Sequence, residues 1–264
     1  MLQVADVSFG YGTADRPALV IDRVSATITR GALAGVLGPN GSGKTTLLRL
    51  MSGTRVPTHG SVLLDGQPLR QLSRRELARR LAVVPQETHL AFDYTVMEMV
   101  LMGRHPHLGL FEVEGPSDLA VAREALASTG TETLEARDFN TLSGGEKQRV
   151  IIAAALAQAS DVLLLDEPTA SLDLGYQLEI ATLLRHLNQE RGVTMVVSTH
   201  DLNLAAALCR ELILLRDGRV LAAGPIAQVL TPENIRRLYD VEADVHVHDG
   251  TGHLTVVPLR RVER

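Results

Sequence analysis

Two short segments carry residue types with complementary chemistry. Gly38–Thr45 reads GPNGSGKT, with Gly38, Gly43, Lys44 and Thr45 at the fixed places of G-x-x-x-x-G-K-[ST]. A loop of this kind wraps backbone N–H groups around phosphate oxygens. Its lysine reaches the β- and γ-phosphates, and its hydroxyl faces Mg²⁺. Pro39, Asn40, Gly41 and Ser42 complete the loop, and Thr46 follows it. The second segment, VLLLDEP at Val162–Pro168, is an apolar run that ends on two carboxylates, Asp166 and Glu167. A buried strand that delivers acid at its C-terminal end can hold a metal and orient a water. Adjacent strand-end residues face opposite ways, so the two acids can divide these roles. Together the segments predict a protein that binds a nucleoside triphosphate with Mg²⁺ and hydrolyses it.

Such a site needs a strand before the loop and a helix after it. Ala32–Leu37 is a short apolar run that reads as a buried strand, and Thr46–Met51 reads as a helix. The helix dipole then adds to the phosphate site. Further strands are expected at Leu2–Phe9 and Val20–Arg30, on either side of a turn-rich Gly10–Arg16, and at Gly60–Leu64 and Leu81–Val84. From Glu87 to about Ala159 strand signals vanish. Helical periodicity marks Thr95–Met102, Ser117–Thr129 and Gly144–Gln158, a helical insertion in an α/β core. Alternation returns after Asp161, with strands at Val162–Leu165, Thr194–Ser198 and Leu212–Leu215 and helices at Leu174–Glu190 and Leu202–Cys209. A buried parallel sheet flanked by helices accommodates this order. A helix near Pro232–Tyr239 and a hairpin, Val241–Val247 with His253–Pro258, close the chain.

Composition narrows the function. The 264 residues are 45% hydrophobic and 3% aromatic, so the core is built from Leu, Val, Ile and Ala. A net charge of −5 without like-charge blocks argues against nucleic acid as the main partner. The single Cys209 excludes an internal disulfide and fits a reducing compartment. The N-terminal stretch lacks the basic and apolar regions of a secretory signal. The longest apolar stretch, Val150–Ala157, is far short of the roughly 20 residues a span needs. A transport role would therefore require a separate membrane partner.

Leu142-Ser143-Gly144-Gly145-Glu146 opens the last helix of the insertion. Ser143 and Glu146 form a capping box, and the two glycines leave bare N–H groups that an anion can approach. His200 follows an apolar run and precedes Asp201, a helix N-cap candidate; by itself such a histidine is structural or functional.

LSGGE, combined with GPNGSGKT, VLLLDEP and the later His200, resembles the ATP-binding subunit of ABC transporters over essentially the whole chain. The resemblance implies an α/β fold: a P-loop NTPase core with a mostly parallel sheet, an N-terminal antiparallel β part and a helical subdomain. It implies one ABC ATPase domain, with residues 1–86 and 160–240 as core, 87–159 as helical subdomain and 241–264 as a hairpin extension. It assigns Tyr11 to adenine stacking, Gln86 to Mg²⁺ and to signalling towards a membrane subunit, and Asp166 to the metal shell. Glu167 and His200 become the catalytic pair. Ser143, Gly144, Gly145 and Glu146 are expected to bind the ATP of a second copy, and Asp173 to link the two sites. The partners so implied are that second copy in an ATP-sandwich homodimer, two multi-span permease subunits and, indirectly, a substrate-binding protein. The expected place is the cytoplasmic face of the bacterial inner membrane.

Thr95–His107 and the tail around Leu238–Val241 are similar to the subfamily that imports iron–siderophore chelates, haem and cobalamin. Arg104–His107 also reads as a polar loop that stops a helix. His246, His248 and His253 lack a completing acidic or cysteine set and read as solvated hairpin histidines. Importers of other cargo, such as a metal ion, and soluble ABC ATPases remain the alternatives. The DNA-repair type of the latter needs a heptad insertion, and the ribosome type needs two cassettes per chain; neither is present.

Overall fold

Apolar runs become buried strands here, and apolar residues spaced three and four apart become helix faces. The structure, a computed structural model, describes residues 1–13, 16–86, 88, 92–250 and 252–262. Ala14 and Asp15 of the expected turn, Glu87 at the start of the expected insertion and Thr251 in the expected hairpin lie outside the described residues. The chain divides into two compact units, one of Met1–Gln71 with Thr194–Arg264 and one of Leu72–Val193.

The first unit begins with β1 (Leu2–Thr13), β2 (Arg16–Ile28), β3 (Leu33–Leu37), α1 (Lys44–Met51), β4 (His59–Leu64) and β5 (Gln67–Pro68). β2, β1, β4 and β5 pair in that order as an antiparallel sheet. The glycine-rich stretch read as a turn is instead paired strand: Gly10 lies opposite Leu19, Tyr11 opposite Ala18 and Gly12 opposite Pro17. Gly10 is needed for close approach and not for a turn. A Cβ there would lie 2.8 Å from the carbonyl oxygen of Ala18.

The second unit holds α2 (Arg74–Arg80), β6 (Leu81–Val84), α3 (Val96–Leu101), α4 (Pro116–Ser128), α5 (Gly144–Ala157), β7 (Val162–Asp166) and α6 (Leu174–Arg191). β6 and β7 pair in parallel. Between them every described helix or strand is helical. Val96, Met99 and Val100 of α3, Ala122 and Leu126 of α4, and Val150, Ala153 and Ala157 of α5 bury one shared apolar core around Phe139. Met102–His107 continues α3 as a 3₁₀ turn. It does more than stop the helix. Arg104 donates to Asp118 Oδ1 at 2.9 Å and to the carbonyl of Ala157 at 2.8 Å, and His107 Nε2 pairs with the carbonyl of Gln158 at 2.9 Å. The Gly115 N–H, and then Arg104, hold the Asp118 carboxyl below the usual carboxylate range.

The first unit resumes with β8 (Thr194–Thr199), α7 (Leu202–Leu208), β9 (Glu211–Arg216), β10 (Arg219–Pro225), α8 (Ile226–Val229), α9 (Pro232–Tyr239), β11 (Val241–Val247) and β12 (Leu254–Arg261). β3 is central, parallel to β8 on one side and to β9 on the other, and β10 is antiparallel to β9. All five residues of β3 are buried, as a strand covered on both faces requires. Cys209 packs under it, so close that a Cβ on Gly35 would lie 2.8 Å from Sγ. Burial pushes the Cys209 thiol up to about 12. The expected α/β class, with parallel strands, an antiparallel N-terminal sheet and a helical segment, is the observed one. Among the described residues no helix is long and apolar enough to cross a membrane.

Candidate functional site

In the first unit the phosphate-loop sequence joins β3 to α1, the strand–loop–helix order expected of it. Glycine is forced at two of its positions. A Cβ on Gly38 would lie 2.2 Å from the carbonyl oxygen of Leu215, and Gly43 caps α1 at φ +103° with Ile21 packed against it. These contacts seat the loop on β9 and β2. Lys44 is only 5% exposed. Its Nζ donates to the carbonyls of Gly38 at 2.9 Å and Pro39 at 3.3 Å, so the ammonium lies against the loop it belongs to. The Ser42 hydroxyl is buried and has no hydrogen-bond partner. Gly41 is exposed, at φ +81°, with open space where a side chain would be.

Tyr11 stands on β1, and its hydroxyl lies 3.4 Å from the Thr46 hydroxyl on α1. Phe9 packs edge-on against its ring at 5.1 Å, and the Arg55 guanidinium lies 5.9 Å from the ring centre. The hydrogen bond to Thr46, helped by Arg49 and Arg55 and opposed by burial, lowers the phenol pKa. His200 is exposed in the single-residue link between β8 and Asp201. Asp201 caps α7 as expected, accepting from the N–H groups of Asn203 and Leu204.

The second unit carries the acids and the signature. β7 is buried along its whole length and ends on Asp166, which is 8% exposed. Glu167 does not continue the strand. Its backbone turns into the left-handed region at φ +46°, and its carbonyl accepts from the Ala170 N–H at 3.0 Å. The two acids are thus separated by a backbone turn and not by strand alternation, a correction to the sequence argument. A non-glycine residue held there costs about 1–3 kcal/mol, which clusters at functional positions. Gln86 is exposed in a bend after β6.

Ser143 caps α5 in a reciprocal capping box with Glu146. The Ser143 N–H and hydroxyl, with Arg137 and Arg149 beyond them, hold the Glu146 carboxyl below its usual value. The two glycines of this segment differ in environment. A Cβ on Gly145 would fall 2.2 Å from the Tyr176 ring, whereas one on Gly144 would touch only Leu172, at 3.4 Å. Gly145 therefore lets the start of α5 seat directly on α6, and Gly144 borders more open space. Asp173 caps α6 through the Tyr176 N–H at 3.1 Å. Sequence reading passed over a further capping box, Thr95 with Glu98, although T-x-x-E is its signature. It placed Tyr239 in the tail motif but not its link to His200, whose carbonyl accepts the Tyr239 hydroxyl across 39 positions, a contact for which no local pattern exists.

This chain is similar to known proteins in sequence and in fold. The cobalamin import ATP-binding protein BtuD of Halobacterium salinarum is 48% identical over 240 residues, or 91% of this chain; this chain spans 60% of that relative's length. The ferric enterobactin transport ATP-binding protein FepC of Escherichia coli is 37% identical over 260 residues, 98% of this chain and 94% of that protein. Among solved structures, a metal-chelate type ABC transporter in an inward-facing conformation superposes with a TM-score of 0.85 at 31% identity, covering 98% of this chain and 97% of that one. Residues 21–170, from β2 through the turn after β7, match the ABC transporter family itself. That stretch is more than half of the chain and contains every site residue expected from the sequence except Tyr11, Asp173 and His200, and on this ground the protein belongs to the ABC transporter family.

Proposed function

We propose that this chain is the ATP-hydrolysing motor of an importer that takes up a metal chelate: an iron–siderophore, haem or cobalamin. The observation that carries the reading is the phosphate loop, with a buried Lys44 lying on its carbonyls and a buried, unsatisfied Ser42 hydroxyl that a phosphate oxygen would satisfy. The relatives' cargoes, and the metal-chelate transporter with the same fold, support the substrate class.

In this reading Pro39, Asn40, Gly41, Ser42, Gly43 and Lys44 enclose the phosphates, with Thr46 behind them, and Tyr11 stacks on adenine. Thr45 offers a hydroxyl, Asp166 a carboxylate and Gln86 an amide carbonyl. This all-oxygen donor set suits a hard cation, so these residues fit Mg²⁺. When bound, Mg²⁺ would neutralise phosphate charge. Glu167 orients and deprotonates the attacking water, and His200 assists at the γ-phosphate. Ser143, Gly144, Gly145 and Glu146 complete the ATP site of a second copy, and Asp173 links the two sites. The helical segment 87–159 moves as a lever against two permease subunits, fed indirectly by a substrate-binding protein, with this chain peripheral on the cytoplasmic face of the inner membrane. Nucleic acid has no role in it.

Co-purification with a multi-span membrane protein tests the transport assignment, and its absence from every membrane fraction favours a soluble ATPase. Mixing tests the shared site. Ser143→Arg leaves ATP binding by a monomer nearly intact and stops hydrolysis, whereas Lys44→Ala stops it by weakening ATP binding. A heterodimer of the two has one site with both lesions and one with neither. Phosphate release in the mixture, absent from each variant alone, supports composite sites; none despite proven heterodimers counts against independently working ones.

A further inference from the structure

The C-terminal part of the first unit does more than close the fold. His200 is a single-residue link with fixed structure on both sides, β8 ending at Thr199 and Asp201 capping α7. Its backbone carbonyl accepts the hydroxyl of Tyr239, the last residue of α9, at 3.1 Å. α9 is itself held. Ile235 and Leu238 are buried beneath it, and the next residue, Asp240, takes a two-pronged pair from Arg216 at the end of β9, at 3.2 and 2.9 Å. A second tether lies three residues past His200. The Asn203 amide donates to the Val256 carbonyl at 3.1 Å and accepts from the Val256 N–H at 2.8 Å, so α7 grips β12 as a neighbouring strand would. Both tethers come from the segment beyond Pro232, which lies outside the stretch matched to the family.

We infer that Tyr239 is a positioning residue for His200, and that α9 with the β11–β12 hairpin is the clamp that aims its imidazole. The inference rests on the reading of His200 as a participant in hydrolysis. β8 places the peptide plane before His200 and the carbonyl contact places the one after it, and together they set the direction of the Cα–Cβ bond. The side chain then has only its two χ rotations left to search. Pre-orientation of this kind lowers the barrier without changing how tightly the substrate binds.

The test is Tyr239→Phe in the full chain, which removes one hydroxyl and keeps the ring packed. The expected result is a kcat for ATP hydrolysis lowered about three- to tenfold, the loss of one neutral hydrogen bond, with KM for ATP unchanged. ¹⁵N-histidine spectra supply a readout that general loosening would not produce. The His200 resonance, assigned by its disappearance in His200→Ala, shifts or broadens in Tyr239→Phe, while those of His246, His248 and His253 on the hairpin stay in place. An unchanged kcat, or an unmoved His200 resonance, overturns the clamp. The underlying reading fails differently: His200→Ala itself would then hydrolyse ATP at the wild-type rate.

Discussion

Glu167→Gln retains ATP and stops releasing phosphate. Loss of a general base costs about 10²–10⁴-fold in rate, and little of the affinity, because the substitution keeps size, polarity and backbone. The left-handed turn at φ +46° makes this variant a clean one. The turn is held from outside the side chain, by β7 before it and by the Ala170 N–H on its carbonyl, so glutamine inherits the same backbone. The amide can still orient a water but cannot take its proton. With hydrolysis blocked, two copies should stay closed on ATP. Steady-state phosphate release and gel filtration with ATP and Mg²⁺ read both effects. Wild-type turnover would remove Glu167 from the chemistry.

Lys44→Ala weakens ATP binding roughly ten- to hundredfold, since a charge-assisted contact to phosphate is worth about 1.5–3 kcal/mol. Lys44 also holds the Gly38 and Pro39 carbonyls, so the loss has a second origin: the loop relaxes when its ammonium is removed. Titration with a labelled ATP analogue measures the sum. Lys44→Arg keeps the charge but replaces a compact ammonium with a planar fork, so its share of the loss reports the loop geometry. An unchanged dissociation constant in Lys44→Ala would mean that Gly38–Thr45 holds no phosphate.

How much of this is legible without coordinates depends on whether the determinant is local. The phosphate loop is legible because its residues are consecutive and Gly43 answers to its own cap conformation. The capping box at Ser143 and the cap at Asp201 are legible because donor and acceptor lie within three residues. Glu167 misleads for the opposite reason. Pro168 signals that the strand stops, but a residue before proline favours extended backbone, so the left-handed turn at Glu167 is not signalled. Gly10 misleads as well, because glycine serves both turns and close strand pairing, and only the Ala18 carbonyl beside it decides between them. Gly145 answers to Tyr176, and His200 to Tyr239, across gaps that no periodicity spans.

The register of β3 bears on how the protein comes into being. Leu33 pairs with Met195 on one side, and Ala34 with Glu211 on the other. The strand that feeds the phosphate loop therefore leaves the ribosome about 160 residues before its first neighbour in the sheet. At about 5–20 residues per second, that is a wait of roughly ten to thirty seconds. Pairings this distant in sequence are slow to form, because loop closure must precede any gain from them. During that interval the chain holds the letters of a nucleotide site without its frame, and an apolar strand with two open edges. Biosynthesis thus orders events: the antiparallel N-terminal sheet can close early, while the loop becomes able to grip a phosphate only after β8 and β9 have been made.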